Sequence, residues 1–243
     1  MIQREHYIEQ VRPFYESDLI KIITGIRRCG KSVIMEQIIQ EISKRTDNII
    51  YLNFEDKKVS ANIANADQLI SYVEENKKDG KCYLFFDEIQ TLNDWQDACK
   101  TLRLYNYSLF ITGSNSKLMS SEISTYLTGR YVSIPVYTLS FKEYLTFKNK
   151  DFSEARTVFD EYIRYGGFPL IGISDFDTRS AYHIVEGIYA SVITRDISKR
   201  HKIRNKELFD RVVRYIIENV GMTFSAPSIV KFLKSENRSL SVE

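Results

Sequence analysis

The sequence predicts an α/β fold in which a parallel sheet of about five strands has helices on both faces and a helical region follows. Two observations support this prediction. Between residues 19 and 136, short apolar runs rich in β-branched residues alternate with stretches of helical periodicity. From Phe141 onward only helical periodicity is found, with one break at residues 166–169.

Each element has a local signal in the sequence. The strand runs are short and bounded by polar or turn residues, whereas the helical segments repeat apolar residues every three or four positions. Strands are predicted at residues 19–24, 49–54, 83–87, 108–112 and 131–136. Helices are predicted from residue 31 and at residues 67–78, 95–104, 141–147, 154–165, 178–199, 206–219 and 226–234. Strands that alternate with helices pair in parallel, because each crossover helix returns the chain to the same end of the sheet.

The composition is that of an ordinary globular protein. Of the 243 residues 27% are charged and the formal net charge is +2, so the overall charge indicates neither a nucleic-acid nor a membrane partner. The first residues contain no apolar signal region, and no apolar run approaches the ~18 residues of a membrane span. The widely spaced Cys29, Cys82 and Cys99 indicate reduced thiols. We therefore expect a cytoplasmic protein without a structural zinc site.

Residues 25–32, Gly-Ile-Arg-Arg-Cys-Gly-Lys-Ser, fit the phosphate-binding P-loop pattern G-x-x-x-x-G-K-[ST]. They stand between a predicted strand and a predicted helix, which is the context that a P-loop requires. Gly25 permits a tight turn, and Gly30 lets backbone N–H groups approach a phosphate. Lys31 reaches the β- and γ-phosphates, and the Ser32 hydroxyl can ligate Mg²⁺.

The predicted nucleotide-binding segment also includes the less specific positions of this loop. Its members are Gly25, Ile26, Arg27, Arg28, Cys29, Gly30, Lys31, Ser32 and Val33. Two interpretations of Arg27 and Arg28 are open. Their side chains either steer a phosphate into the loop or are simply solvated. Cys29 is interpreted as a small residue that fits the loop.

The apolar strand at residues 83–87 ends in two adjacent carboxylates, Asp87 and Glu88. This is the pattern called Walker B in P-loop proteins. We predict that Asp87 holds Mg²⁺, directly or through water, and that Glu88 orients or activates the attacking water. The alternative is a polar strand end that leads into a loop.

Two further residues are candidates for contact with the γ-phosphate. In ATPases with an additional strand, a polar residue at the tip of the strand between the P-loop and Walker B strands has this role, and Asn115 is the first choice here, before Ser114. A Gly-Ser-Asn turn is the alternative. Arg130 is predicted to stabilise the transferred phosphoryl group, in cis or from a neighbouring subunit, and a surface or salt-bridge role is equally open.

Weaker signals lie around this site. Asn53 is predicted either to restrain Glu88 or to be a plain polar strand end, and His6 and Tyr7 are candidates to cover an adenine ring. Between residues 195 and 214, basic residues outnumber acidic ones by a local net charge of +5. This basic region predicts either contact with a DNA backbone or a solvated helix face.

Six segments together resemble a known family. They are GIRRCGKS at 25–32, LFFDEIQ at 84–90, ITGSNS at 111–116, TGR at 128–130, LSFKEYL at 139–145 and GGFP at 166–169. Their order is similar to that of bacterial and archaeal AAA-type ATPases that carry a C-terminal domain of unknown function. The resemblance, which spans nearly the whole chain, implies a P-loop ATPase core at 1–138, a helical lid at 139–205 and an incomplete winged helix at 206–243. Family members continue into a nuclease-like domain. Two explanations of the earlier end of this chain are open, a truncation and a short gene product.

The leading functional prediction is Mg²⁺-dependent hydrolysis of ATP to ADP and phosphate, coupled to a protein partner or a homo-oligomer. The alternative is a nucleotide-dependent switch or DNA-associated regulator with little intrinsic hydrolysis. A small-molecule kinase is disfavoured because the Asp87-Glu88 pair favours activation of water. A DNA-binding module with a vestigial nucleotide site is disfavoured because these carboxylates, Lys31 and Ser32 are all present.

Overall fold

A computed structural model describes residues 2–114, 127, 129–198, 203, 205–223 and 225–235. The chain divides into two compact units, Met1–Asp196 and Ile197–Glu243. The boundaries at residues 138 and 205 that the sequence suggests stay a prediction. Within the described ranges, no helix combines the length and the apolar character needed to cross a membrane.

The first unit is built on a parallel sheet. Its described strands are β1 (Ile20–Gly25), β2 (Ile49–Asn53), β3 (Tyr83–Asp87), β4 (Ser108–Ser114) and β5 (Tyr131–Val136). They form a five-stranded sheet in the order β2-β3-β4-β1-β5, and every paired neighbour runs in parallel. The predicted fold class is therefore confirmed, and β4 lies between the P-loop strand β1 and the Walker B strand β3, as expected.

Helices connect and flank these strands. In the first unit they are α1 (Glu5–Val11), α2 (Lys31–Ile42), α3 (Lys57–Asn62), α4 (Ala66–Asn76), α5 (Trp95–Leu104), α6 (Phe141–Phe147), α7 (Ala155–Tyr165), α8 (Pro169–Gly172) and α9 (Thr178–Ser191). A π-helical segment, Val192–Ser198, continues from α9. In the second unit, α10 is Lys206–Glu218 and α11 is Ala226–Ser235.

Sequence periodicity located the long helices and missed three short ones. The helices α1, α3 and α8 have 7, 6 and 4 residues, too few for a repeated apolar face to be recognised. The turn at residues 166–169 was predicted only as a break, but Pro169 there starts α8, where its missing N–H is not needed. The predicted helix at 178–199 changes to π-helical geometry after Ser191.

The two faces of the sheet have separate apolar cores. One core joins alternate residues of the inner strands, such as Ile22, Leu84 and Ile111, to α4 and α5. The other joins Ile23, Phe85 and Phe110 to α1 and α2. Every residue of β1 and β3 is buried, as expected for strands covered on both faces. This packing fixes the sheet edge at which the strands end.

Residues 139–191 contribute a third apolar cluster within the first unit. It includes Leu139, Tyr144, Val158, Ile171 and Ala181, contributed by α6, α7, α8 and α9 and by the chain that leads into α6. The start of α6 is fixed by a capping box, in which Ser140 accepts a hydrogen bond from the Glu143 N–H and Glu143 accepts one from the Ser140 N–H. We refer to residues 139–191 as the helical segment.

The second unit consists of two helices in its described part. Asn205 caps α10 by accepting a hydrogen bond from the Leu208 N–H at 3.0 Å. The rings of Tyr215 and Phe232 bring α10 and α11 together, with centroids 4.7 Å apart. Five of the eight basic residues in the predicted region at 195–214 lie outside the residues whose side chains are described, so its contact with DNA stays a prediction.

One lysine is buried inside the sheet. Lys21 lies in β1, and its Nζ donates hydrogen bonds to Ser108 Oγ at 2.8 Å and to the Ser17 carbonyl at 3.3 Å. The ammonium also lies 4.6 Å from the centroid of the Phe110 ring. Burial and the positive charge of Lys81 lower the pKa of Lys21 to about 7, although Glu16 and Asp18 act in the opposite direction.

We expect Lys21 to make folding stability depend on pH. Between pH ~7 and ~10 the unfolded chain holds a proton on this amine that the folded chain releases, so the free energy of unfolding rises with pH by up to about 1.4 kcal/mol per unit. Lys21→Met removes this dependence on pH. The free energy of unfolding of the variant, relative to that of the wild type, is therefore expected to be highest at low pH. Urea unfolding at several pH values from 6 to 9 measures the difference. If the free energies of unfolding of the two proteins changed in parallel with pH, the prediction would be contradicted.

Candidate functional site

The carboxyl ends of four neighbouring strands meet at one edge of the sheet. The register pairs Asn53 with Asp87 and Gly25 with Ser114. Because parallel strands end at the same edge, the P-loop after β1 and the two carboxylates at the end of β3 are brought together. This edge is where an open α/β sheet usually binds ligands.

The two P-loop glycines are required for different reasons. A Cβ atom at Gly25 would lie 2.4 Å from the Val136 carbonyl oxygen and 2.6 Å from Cys29 Sγ, so only glycine fits between β5 and the loop. Gly30 has a φ of +100°, in the left-handed region that glycine adopts at little cost. Cys29 is fully buried beneath the loop, in agreement with its interpretation as a residue that fits there.

Lys31 is buried at the first position of α2 and folds back on its own loop. Its Nζ donates to the carbonyl oxygens of Gly25 and Ile26, each at 3.3 Å. Glu88 Oε1 lies 3.7 Å from the same ammonium. The two residues predicted from separate motifs therefore form an ion pair.

Asp87 is held by donors from two neighbouring strands. The Thr112 hydroxyl of β4 donates to Asp87 Oδ1, and the Asn53 amide of β2 donates to Asp87 Oδ2 at 3.4 Å. The Tyr51 hydroxyl lies 3.5 Å from Oδ2 and completes the set. Thr112 also accepts a hydrogen bond from the Glu88 N–H at 3.0 Å, so one buried hydroxyl orients both acidic residues.

Glu88 has an uncommon backbone conformation. Its φ of +52° places a residue other than glycine in the left-handed region, which is a strained geometry often found at functional sites. The turn that follows brings Gln90 back toward it, and Gln90 Nε2 donates to Glu88 Oε2. Lys31 and Gln90 thus hold the two carboxylate oxygens of Glu88 separately.

Lys31, Asn53, Asp87 and Glu88 line one cavity of about 790 Å³ within the first unit. Its walls come from the P-loop and the start of α2, from the ends of β2 and β3, and from the helical segment and the π-helical turn that follows it. The lining residues are Arg27, Arg28, Gly30, Lys31, Ser32, Val33, Asn53, Glu55, Asp87, Glu88, Pro169, Leu170, Ile173, Gly187, Ala190, Ser191 and Thr194. One wall is charged and polar, while the wall from α8 and α9 is apolar or small.

The two arginines of the loop differ in their surroundings. Arg27 Nη1 lies 3.2 Å from Glu55 Oε1, which ties the loop to the chain that follows β2. Arg28 is exposed and has a φ of +66°. The salt bridge gives Arg27 a structural partner, and the choice between phosphate steering and solvation stays open for Arg28.

Two weaker predictions have different outcomes. Asn53 does not restrain Glu88, because its amide contacts Asp87 and its Oδ1 accepts from the Glu55 N–H at 2.9 Å, and the alternative of a polar strand end remains. His6 and Tyr7 are not among the residues that line the P-loop cavity, and their contact with an adenine ring stays a prediction. Tyr7 is buried, and its hydroxyl accepts a hydrogen bond from the Tyr137 N–H at 3.0 Å.

Arg130 lies at the other edge of the sheet from the P-loop. Its carbonyl accepts a hydrogen bond from the Ile20 N–H, where β1 begins, whereas the P-loop follows Gly25, where β1 ends. The predicted role in cis is therefore wrong, because the length of β1 separates this residue from the cavity of its own chain. A role toward a neighbouring subunit stays a prediction, and Asn115 lies outside the described residues.

Sequence reasoning missed three side chains that organise this site. Thr112 stands two positions before Ser114, and a hydroxyl within an apolar strand was its only signal. Gln90 follows Glu88 by two positions, but the strained turn that joins them has no sequence signature. Arg4 lies far from every motif, and only the structure places its guanidinium against the carbonyl of Cys29.

Comparison with known sequences identifies two matched regions. The profile of an AAA domain matches residues 17–145, and that of a domain of unknown function matches residues 156–241. An uncharacterized protein of Haemophilus influenzae is 37% identical over 245 residues, which cover 97% of this chain and 60% of that protein. An uncharacterized protein of Methanocaldococcus jannaschii is 38% identical over 240 residues, which cover 92% of this chain and 52% of that protein. The chain thus spans between half and two thirds of the length of these relatives.

Solved structures with a similar arrangement include two proteins of low sequence identity. Cdc6p from Pyrobaculum aerophilum gives a TM-score of 0.48 at 12% identity and covers 99% of this chain and 82% of its own. AMPPCP-bound DnaA from Aquifex aeolicus gives a TM-score of 0.46 at 15% identity and covers 88% of this chain and 68% of its own. At TM-scores below 0.5, these likenesses say nothing about what the chain binds.

Proposed function

The chain belongs to the AAA-domain family of P-loop NTPases, and from this premise we propose that it binds ATP with Mg²⁺ and hydrolyses it to ADP and phosphate. One observation carries the proposal: Lys31, Ser32, Asp87 and Glu88 line a single cavity. Phosphate binding, metal binding and activation of water would then take place within one site. The residues of the P-loop, from Gly25 to Val33, are the proposed nucleotide-binding segment.

The shape and chemistry of the P-loop suit a phosphate group. The close approach of β5 at Gly25 and the left-handed Gly30 leave the loop without side chains at the positions where a phosphate must come near the backbone. The loop leads directly into α2, whose first N–H groups and dipole favour an anion. The apolar wall from Pro169, Leu170 and Ile173 offers a surface for the base.

The oxygen donors of the cavity also suit Mg²⁺. The Ser32 hydroxyl and the Asp87 carboxylate would hold the ion, and both are the hard ligands that Mg²⁺ prefers. A bound Mg²⁺ ion would compensate the negative charge on the phosphate oxygens. Thr112, Asn53 and Tyr51 fix the orientation of Asp87 for this role.

Glu88 is the proposed group that takes a proton from the attacking water. Its carboxylate lies at the cavity wall, where Gln90 holds one oxygen and Lys31 faces the other. When Lys31 turns to a phosphate, Glu88 Oε1 becomes free to accept a hydrogen bond from water. Asn115, and Arg130 of a neighbouring copy, are proposed as further contacts to the γ-phosphate.

Removal of the metal tests this proposal. We expect purified protein to release phosphate from ATP in the presence of MgCl₂ and to stop when EDTA is added, because the phosphate charge is then uncompensated. Activity should return when excess MgCl₂ is restored, which controls for damage by the chelator. Phosphate release that continues at full rate in EDTA would exclude the proposed metal role.

A second candidate function is a nucleotide-dependent switch with little turnover. The ion pair between Lys31 and Glu88 favours it, because the acidic group is engaged by the residue that must bind phosphate. Nucleotide state would then control a protein partner, a second copy or DNA, through the helical segment and the proposed winged helix. Tight retention of ATP with negligible phosphate release supports the switch, whereas sustained turnover by the isolated protein supports the hydrolase. Measurement of the molecular mass in solution with and without ATP tests whether the chain forms a homo-oligomer.

A further inference from the structure

Arg4 forms a buried polar junction behind the P-loop. Its side chain is only 4% exposed, although it carries a full charge. Nη1 donates to the carbonyl oxygens of Cys29 at 3.1 Å and Tyr137 at 3.0 Å, and Nη2 reaches that of Thr138 at 3.4 Å. The guanidinium therefore joins the P-loop to the chain that leaves β5.

The same guanidinium is paired with an acid of α6. Nε donates to Glu143 Oε1 at 2.6 Å and Nη2 donates to Oε2 at 3.2 Å, which is the bidentate geometry that arginine makes with a carboxylate. The Glu143 carboxylate also accepts from the N–H and the hydroxyl of Ser140, at 2.8 and 2.9 Å. Burial raises the pKa of Glu143, but the hydrogen bonds from Arg4 and Ser140 outweigh it, and the pKa lies below its ordinary value.

We propose that Arg4 is a positioning residue for the nucleotide: it fixes the Cys29–Gly30 peptide of the P-loop and, through Glu143, links that peptide to the helical segment. The inference rests on the proposed function of the P-loop as a nucleotide site. Arg4 acts through the backbone, since it does not line the cavity.

The planarity of the peptide gives the physical reason. In a trans peptide the C=O of one residue and the N–H of the next point in opposite directions. With the Cys29 carbonyl held by Arg4 behind the loop, the Gly30 N–H is directed away from Arg4, toward the side on which Gly30 and Lys31 line the cavity. Arg4 thus orients in advance an N–H donor that a phosphate needs, and glycine at position 30 leaves room for the phosphate.

The pair also couples two parts of the site. The P-loop forms one wall of the cavity, and α8 and α9 form the opposite wall. Glu143 belongs to α6, which shares an apolar cluster with the helices of that opposite wall. A change at Glu143 is therefore expected to reach the loop through Arg4, which makes the two residues non-additive in nucleotide affinity.

The test measures ATP affinity and stability separately. We expect Arg4→Lys to raise the Kd for ATP about tenfold, because a lysine ammonium cannot reproduce the bidentate pair with Glu143 together with the bonds to the Cys29 and Tyr137 carbonyls. Glu143→Gln should raise the Kd in the same direction although Glu143 is outside the cavity wall, and the double variant should lose less than the sum. Arg12→Lys is the matched control, since Arg12 follows α1 and pairs with Glu5 and Glu41 on the surface.

Three outcomes decide the inference. If Arg4→Lys and Glu143→Gln lower the unfolding midpoint but bind ATP as the wild type does, Arg4 has a structural role only and the inference is overturned. If Arg4→Lys does not fold, the test uses Glu143→Gln as the single variant. Its affinity for ATP is then measured together with the ¹⁵N resonance of Gly30 during titration with pyrophosphate. That resonance should move in the wild type and move less in Glu143→Gln. A wild type that binds neither ATP nor pyrophosphate would overturn the proposed function as well, which separates the two failures.

Discussion

Replacing Glu88 by glutamine is expected to lower the rate of phosphate release from ATP by at least about a hundredfold, while ATP is still bound. The substitution keeps the shape of the side chain and its hydrogen bond from Gln90 but removes the group that takes a proton from water. It also removes the negative charge beside Lys31, so the affinity for ATP should be unchanged or higher.

Two measurements on the same preparation check this expectation. Phosphate release reports the chemical step, and calorimetric titration with ATP reports binding. Glu75→Gln, on the exposed side of α4, is the matched control for loss of one carboxylate. Equal rates of phosphate release for wild type and Glu88→Gln would remove Glu88 from the reaction.

Replacing Lys31 by alanine is expected to raise the Kd for ATP by about a hundredfold, which corresponds to loss of one or two hydrogen bonds between charged groups. Among the described residues, its ammonium contacts two backbone carbonyls and Glu88, and all three can be exchanged for phosphate oxygens. The fold should persist, since α2 is also fixed by Ile34, Met35 and Ile38 in the core.

The control for this variant is Lys44→Ala, which removes an exposed lysine just beyond the same helix. Calorimetric titration with ATP and with ADP compares the two variants with the wild type. The loss should be larger for ATP, because Lys31 is proposed to reach the γ-phosphate that ADP lacks. An unchanged Kd for both nucleotides would show that the P-loop lysine does not contact phosphate.

The sequence predicted the sheet, which the structure confirms, and four residues that the structure places along one candidate cavity. Strand runs at 83–87 and 131–136 agree with β3 and β5 at both ends. Lys31, Ser32, Asp87 and Glu88 follow directly from motifs whose backbone geometry is local, because strand, glycine loop and helix are consecutive in the chain. Parallel pairing then brings the ends of β1 and β3 to one edge, which is a general rule and needs no knowledge of side-chain packing.

The incorrect predictions share one property. Asn53 and Glu88 come from different strands, and the pleat that decides whether Asn53 meets Asp87 or Glu88 depends on register. Arg130 was placed near the phosphate because a guanidinium can stabilise the charge of a transferred phosphoryl group, although its position just before β5 puts it at the opposite edge. Both predictions rested on the chemistry of one side chain, whereas register and position along a strand decide which partner that side chain meets.

Local periodicity and spacing were sufficient to predict the fold class, the P-loop pattern and the acidic strand end. The side chains that support these features could be identified only in three dimensions. Arg4 and Glu143 are 139 positions apart, and Thr112 lies 25 positions from Asp87. Contacts of this kind depend on how the helices and strands pack in three dimensions, and a single sequence contains no local signal for them.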